Sequence, residues 1–141
     1  GVLSYLASRY MLGLITSRDM ISLEKELAYG KFKTSLFYKM QSRDCHPFHK
    51  PDPRVFDLCL NTAQAAGVTR EQIVYVGDTV KYDYVAAQAA GINFIGITSK
   101  YITKDMFLEA GANEDQIIDK FLDLPRAIQK LDNKLKKMMV A

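Results

Sequence analysis

The 141-residue sequence lacks several features that define whole classes of protein. It contains no apolar run of about 18 residues, so no segment is predicted to span a membrane. It has only two cysteines, Cys45 and Cys59, which favours a reduced, cytoplasmic protein over a disulfide-stabilised secreted one. The first twenty residues have no basic leader and do not resemble a signal peptide. No internal repeat or linker-like tract is visible.

An excess of charge of one sign is also missing. The sequence has 19 Lys and Arg against 16 Asp and Glu, a net charge of +3, which is too small to indicate nucleic-acid binding unless it is clustered. The basic segment 130–139 is interpreted as the solvated end of a helix rather than a membrane contact. With 48% hydrophobic and 25% charged residues, the composition is that of a globular protein, predicted to form one domain over residues 1–141.

Short apolar segments alternate with segments that have helical periodicity. Strands are predicted at 11–16, 35–40, 73–76, 92–97 and around 116–118, and helices at 2–10, 21–29, 52–66, 86–91, 103–110 and 124–137. Apolar strands that alternate with helices indicate an α/β fold with a parallel sheet covered on both faces. In such sheets functional residues lie at the carboxyl ends of the strands.

Polar residues occur at three such places. Thr16 and Ser17 end the first predicted strand, Lys50 lies in a loop that opens a helix, and Asp78 follows the third strand, with Asp83 five residues later. Hydroxyl groups can donate to phosphate oxygens, and a lysine is a point charge for the same anion. Carboxylates are hard ligands that hold Mg²⁺ beside substrate oxygens. These residue types therefore favour a site for a phosphate group and a divalent cation.

In this order the motifs resemble those of the haloacid dehalogenase-like phosphohydrolases, especially the phosphoglycolate-phosphatase-like branch. They read LGLITS, HKPDPRVF and VGDTVKYDYVAAQAAG, and FLEAGANEDQIIDKFLDLPRAI is similar to the family's last strand and helix. The resemblance implies a three-layer α/β/α, Rossmann-like core. It also implies Mg²⁺-dependent hydrolysis of a small phosphorylated metabolite through an aspartyl-phosphate.

The resemblance assigns a role to each residue. Thr16 and Ser17 would bind the phosphoryl group, and Lys50 would neutralise the phosphate and the nucleophile, so Thr16 and Lys50 are the predicted catalytic residues. Asp78 would hold Mg²⁺ directly or through water, and Asp83 would orient the water shell of the metal or Lys50. Both aspartates are therefore predicted metal-site residues. Phosphoryl transfer depends mainly on positioning and charge neutralisation, which these groups supply.

One part of the family's pattern is missing. The family uses an aspartate nucleophile and a second aspartate two positions later, and no Asp-x-Asp pair occurs in this sequence. By the resemblance, the nucleophile strand and a helical cap precede the matched region, so the chain looks like the C-terminal part of a phosphatase. Without its nucleophile it is predicted to have no turnover.

The missing strand also has a structural consequence. In the family it lies between the strands predicted here at 11–16 and 73–76, both of which are expected to be central in the sheet. Unpaired edges of apolar strands attract another strand. We expect the chain either to self-associate through these strands or to pair them directly with each other, and we favour self-association.

Other functions fit some of the same residues. A non-catalytic binding or scaffold protein with this fold would keep the phosphate and metal residues. A phospho-acceptor receiver domain is disfavoured, because here the acidic motif at Asp78 follows Lys50. A nucleotide-binding Rossmann enzyme would need a Gly-rich turn that the sequence lacks.

Individual residues also have simpler interpretations. Asp78 could cap the next helix, and Asp83 could complement the dipole of that helix. Ser17 and Thr79 could be local turn residues rather than substrate contacts, and Tyr75 is expected only to pack or flank. Cys45, His46 and His49 have metal-competent side chains, but a four-ligand zinc site would need Cys59, which is predicted on a helix.

Overall fold

The computed structural model describes residues 1–30 and 33–140, with residues 136–140 described as backbone. Contacts divide the chain into two compact units, one formed by Leu3–Thr69 and one that begins at Arg70. The expectation of a single domain over residues 1–141 stays a prediction.

Up to Thr69, the described residues form three α-helices and a two-stranded parallel sheet. Ile15 lies opposite Gln41 in this sheet, and Leu23 and Leu27, one helical turn apart, are both buried. Asp19 begins the second helix by accepting a hydrogen bond from the Ser22 N–H at 2.7 Å, as expected of an N-cap carboxylate. The elements are α1 (Val2–Ala7), β1 (Leu12–Ile15), α2 (Met20–Tyr29), β2 (Phe37–Gln41) and α3 (Asp57–Ala65).

The second unit contains a three-stranded parallel sheet in the order β3-β4-β5. Its core contains an aromatic cluster, because the rings of Tyr84 and Phe107 both contact the ring of Phe94, with centroid distances of 5.4 and 5.9 Å. Gly91 ends α4 in the left-handed conformation, with φ of 69°, as the sequence predicts. The elements are β3 (Val74–Gly77), a π-helical turn (Val80–Tyr84), α4 (Val85–Ala90), β4 (Asn93–Ile97), α5 (Lys104–Glu109), β5 (Ile117–Ile118) and α6 (Leu124–Val140).

The α/β class and the parallel strands are confirmed, but the predicted position of two strands is wrong. β1 belongs to a two-stranded sheet and β3 is the edge of the three-stranded sheet, so neither is central. They are not paired with each other in the described ranges, which contradicts direct pairing. Each strand pairs on one side with the next strand along the chain, the usual result of a strand-helix-strand connection, and the strand that the family resemblance places on the other side is missing from these residues.

The predicted helix over 52–66 begins later than the sequence indicates. A tight 3₁₀ turn over Pro53–Phe56 precedes α3, and Asp52 caps this turn by accepting from the N–H of Arg54 at 2.9 Å.

Among the helices in the described ranges, none is both long and apolar enough to cross a bilayer.

Candidate functional site

Thr16 extends the β1–β2 ladder by one residue. Its N–H donates to the carbonyl of Gln41 at 3.0 Å, and its Oγ1 accepts from the N–H of Arg18 at 3.2 Å. Because the hydroxyl is the acceptor in that bond, its own proton can be donated to another group, such as a phosphate oxygen. Ser17 follows in the same loop and is exposed.

The loop after β2 is bound to the loop after β1. The buried Ser42 hydroxyl donates to Asp44 Oδ1 at 2.8 Å, and the same oxygen accepts from the N–H of Met20, the first residue of α2, at 3.1 Å. The Arg43 N–H donates to the carbonyl of Arg18 at 2.8 Å. The Ser42 hydroxyl is the main cause that lowers the pKa of Asp44. These bonds fix the course of the loop that carries Thr16.

Lys50 is half-buried. It lies in a loop in which side chains before and after it in the sequence contact one another. Asp52 Oδ2 pairs with Nη2 of Arg54 at 2.7 Å, and the guanidinium carbon lies 3.8 Å from the ring centroid of Phe48. The Phe48 N–H donates to Nδ1 of His46 at 3.2 Å. The hydrogen bonds from Arg54 lower the pKa of Asp52 to about 2, and Asp52 in turn raises the pKa of Arg54. The loop is therefore shaped by its own contacts before any ligand binds.

The cysteines and histidines of the first unit do not form a recognisable metal centre. In the part of the chain that the structure describes, no three His, Cys, Asp or Glu side chains come together as a metal-binding group. Cys45 is exposed and Cys59 is half-buried, and both thiols are free. Burial raises the pKa of Cys59, which makes this thiol a poor ligand and nucleophile.

In the second unit, Asp78 follows β3 directly and is exposed. The residue that caps the following turn is Thr79, whose Oγ1 accepts from the Asp83 N–H at 3.1 Å. The simpler interpretation of Asp78 as a helix cap is therefore wrong. The Asp78 carboxylate faces solvent at the carboxyl end of an edge strand, where the sequence predicts a metal ligand.

Asp83 is almost completely buried, with 2% of its surface exposed. Its Oδ2 accepts from the N–H groups of Asp78 and Thr79, both at 3.1 Å, and from the Thr79 hydroxyl at 3.0 Å. Together with the bond from the Asp83 N–H to Thr79, this is a reciprocal capping arrangement shifted by one residue from the usual spacing of three. The π-helical turn explains the shift, because the Tyr84 N–H reaches back five residues to the Thr79 carbonyl at 3.1 Å.

Gly77 makes room for this carboxylate. A Cβ at residue 77 would lie 2.4 Å from Cβ and 2.6 Å from Cγ of Asp83, far closer than nonbonded carbons approach. The sharp turn after β3 thus leaves Asp83 buried and Asp78 exposed.

The predicted residues fall into two groups. Thr16, Ser17 and Lys50 belong to the first unit, while Asp78 and Asp83 belong to the second and are directly hydrogen-bonded. Their roles in binding phosphate and metal stay predictions.

Sequence reasoning missed three residues that position these groups, namely Ser42 and Asp44 in the first unit and Tyr75 in the second. The interpretation of Thr79 as a turn residue is confirmed, since it caps the turn after β3. A signal for Tyr75 was present, because residues 75 and 77 of a strand project to the same face.

Comparison with known proteins shows which family the chain resembles and how much of its relatives it spans. A family model described as "Haloacid dehalogenase-like hydrolase" matches residues 1–97. A "Probable phosphoglycolate phosphatase" of Pseudomonas putida is 36% identical over 93 residues, covering 64% of this chain and 34% of that protein. A phosphoglycolate phosphatase of Cereibacter sphaeroides is 39% identical over 66 residues, covering 47% and 28%. The chain thus spans about a third of the length of these curated relatives.

Solved structures agree with the fold. The structure of a "predicted phosphoglycolate phosphatase" from Haemophilus somnus superimposes with a TM-score of 0.68 at 25% identity, covering 89% of this chain and 53% of that chain. A 2-haloacid dehalogenase from Pseudomonas syringae gives a TM-score of 0.61 at 24% identity, covering 92% and 50%. This second likeness concerns the fold alone.

Proposed function

Since the chain belongs to the haloacid dehalogenase-like hydrolases and is similar to their phosphoglycolate-phosphatase-like branch, we propose that it carries the phosphate- and Mg²⁺-binding residues of a phosphomonoester hydrolase. The observation that supports this most strongly is the arrangement after β3. There the backbone N–H of the exposed Asp78 donates a hydrogen bond to Oδ2 of the buried Asp83 at 3.1 Å. A small phosphorylated metabolite is the proposed substrate class, and the cytoplasm the proposed location.

The residues around Asp78 fit a magnesium ion that keeps most of its water. Mg²⁺ in such enzymes is held by one or two carboxylates together with water and substrate oxygens. Asp78 supplies an exposed carboxylate. Asp83 contributes to the metal site by binding the backbone of Asp78, since both its oxygens already accept hydrogen bonds from the chain. A bound Mg²⁺ would neutralise charge on the phosphoryl oxygens.

The first unit supplies the phosphate-binding groups of this proposal. Thr16 donates its hydroxyl proton to a phosphoryl oxygen, and Ser17 is the second hydroxyl of the same loop. Lys50 supplies positive charge to the phosphate and acts with Thr16 in catalysis. The bonds of Ser42 and Asp44 keep the Thr16 loop in place, so little ordering is needed when the anion binds.

The covalent step of the family's reaction needs an aspartate that these residues do not include. The 141 residues contain no Asp-x-Asp pair, so we propose that the chain by itself binds both ligands weakly and does not turn over. A non-catalytic binding protein with the same fold is the alternative. We further propose that the open edges of β1 and β3 lead the chain to self-associate, since an apolar edge strand is a template for another strand.

Titration with inorganic phosphate, followed by amide chemical shifts, tests the phosphate site. We expect shifts at Thr16 and Ser17 that Lys50→Met weakens at least several-fold, because a charge-assisted contact is lost. Lys25→Met, which removes an exposed lysine from α2, is the matched control and should leave binding unchanged. Equal effects of the two variants, or no shift at residues 16 and 17, would contradict the proposal.

A further inference from the structure

We infer that Tyr75 is a positioning residue of the proposed metal site. Its hydroxyl group fixes the Asp83 carboxylate, and Asp83 fixes the backbone that presents Asp78. The inference rests on the proposed function as far as Mg²⁺ is concerned. The positioning of the backbone by Tyr75 stands on the geometry alone.

The two oxygens of Asp83 bind different groups. Oδ2 accepts hydrogen bonds from the N–H groups of Asp78 and Thr79 and from the Thr79 hydroxyl. Oδ1 accepts a hydrogen bond from the Tyr75 hydroxyl at 3.1 Å. A carboxylate bonded through one oxygen can turn about its Cβ–Cγ bond. A second bond, made from another element to the other oxygen, holds the plane of the group. Tyr75 is that second element, since it lies on β3 while Asp83 lies in the π-helical turn.

The strand geometry explains why residue 75 is in the right place. Side chains two apart on a strand project to the same face, so Tyr75 lies on the face where Gly77 leaves room for Asp83. The ring of Tyr75 is anchored by Phe94 on the neighbouring strand, with a centroid distance of 6.4 Å. The hydroxyl is thereby held at a fixed distance from the turn.

Tyr84 provides a matched control. Its ring also packs against Phe94, at 5.4 Å, and it is buried like the other core aromatics. The structure gives a hydroxyl bond to Asp83 from Tyr75 and not from Tyr84. Tyr75→Phe and Tyr84→Phe each remove one hydroxyl and keep the ring, so a difference between them reports the bond to Asp83.

Amide hydrogen exchange measures the positioning directly. In Tyr75→Phe we expect the amides of Asp78 and Thr79 to exchange about fivefold faster than in the parent chain, the factor that one hydrogen bond of average net strength supplies. Amides within β4 serve as the internal reference. Tyr84→Phe should leave the ratio of the two exchange rates unchanged. Acceleration of all amides alike in Tyr75→Phe, or the same ratio in both variants, would overturn the inference.

The Mg²⁺ affinity adds a readout that a purely structural role would not change. The dissociation constant is measured from the Asp78 amide shift at constant ionic strength. We expect it to rise about tenfold in Tyr75→Phe, as for other residues that orient a metal ligand, and to stay constant in Tyr84→Phe. If Asp78→Asn itself leaves Mg²⁺ binding unchanged, the proposed function fails and hydrogen exchange alone decides the role of Tyr75. If Asp78→Asn weakens binding and Tyr75→Phe does not, the positioning of the metal ligand by Tyr75 is refuted.

Discussion

Gly77 and Asp83 approach so closely that residue 77 has no room for a side chain, since a Cβ there would lie 2.4 Å from the Cβ of Asp83. The glycine is the last residue of β3 and the carboxylate belongs to the next turn. The close approach lets Asp83 reach the backbone N–H groups of residues 78 and 79. One missing side chain therefore determines the shape of the turn that carries the proposed metal ligand.

This contact predicts a large effect of a small substitution. Gly77→Ala should lower the free energy of unfolding by about 2 to 3 kcal/mol, because the backbone or Asp83 must move to relieve the overlap. Gly13→Ala on β1 is the control, since its Cβ would meet the edge of the Tyr38 ring at 3.2 Å, and it should cost less than about 1 kcal/mol. Urea denaturation measures both. Equal costs for the two variants would contradict the prediction.

Magnesium binding should be weak and should depend more on Asp78 than on Asp83. A single exposed carboxylate with water is a poor Mg²⁺ site, so we expect a dissociation constant of about 1 mM or above. Asp78→Asn removes the ligand, whereas Asp83→Asn keeps an oxygen that can accept the bonds from residues 78 and 79. Calorimetric or NMR titration that gave micromolar binding, or an equal or larger effect of Asp83→Asn, would refute this.

The Asp52–Arg54 pair predicts a change in stability at acid pH. The pKa of Asp52 is lowered from 3.8 to about 2 in the folded chain, so the folded state favours the ionised form. The resulting stabilisation is complete above the unfolded pKa and is lost as the pH falls from about 4 to 2. Asp52→Asn and Arg54→Gln should each be less stable than the parent chain at pH 6, with the difference shrinking toward pH 2. A difference that stays constant with pH would contradict the assignment.

Open strand edges predict assembly of the chain. β1 and β3 each have a strand neighbour on one side in the described residues, and their apolar sequences favour a partner on the other. Light scattering coupled to size exclusion should show a mass above 16.0 kDa that rises with concentration. Val76→Lys, which places a charge on the edge strand β3, should shift the chain toward the monomer. A strictly monomeric chain at high concentration would refute self-association.

The strands and most helices could be predicted because their signals are local. β-branched and aromatic runs such as 73–76 favour strands. A glycine such as Gly91 indicates the end of a helix, because it readily adopts the left-handed conformation found there. The central position of β1 and β3 could not be predicted correctly. It was inferred from a strand that these residues do not contain, while the chain itself pairs consecutive strands.

For the candidate site, the exposure of Asp78 could be predicted from the sequence, but the hydrogen bonds around Asp83 could not. The position of Asp78 after an apolar strand is a sequence signal, and its exposure follows from that position. The burial of Asp83 depends on a π-helical turn, which shifts the capping contact from three residues to four. Such turns are rare, so the sequence alone gives little reason to expect one. The contributions of Thr79 and Tyr75 therefore became visible only in the folded chain.

Phosphate release by the 141-residue chain is the most direct test of the account. A mass-verified sample is incubated with Mg²⁺ and either an aryl phosphate or small phosphomonoesters, alongside its Asp78→Asn variant. Because the proposed phosphate- and metal-binding residues are not accompanied by an Asp-x-Asp nucleophile, we predict no release above the buffer background for either protein. Turnover by the parent chain that Asp78→Asn abolishes would contradict the account.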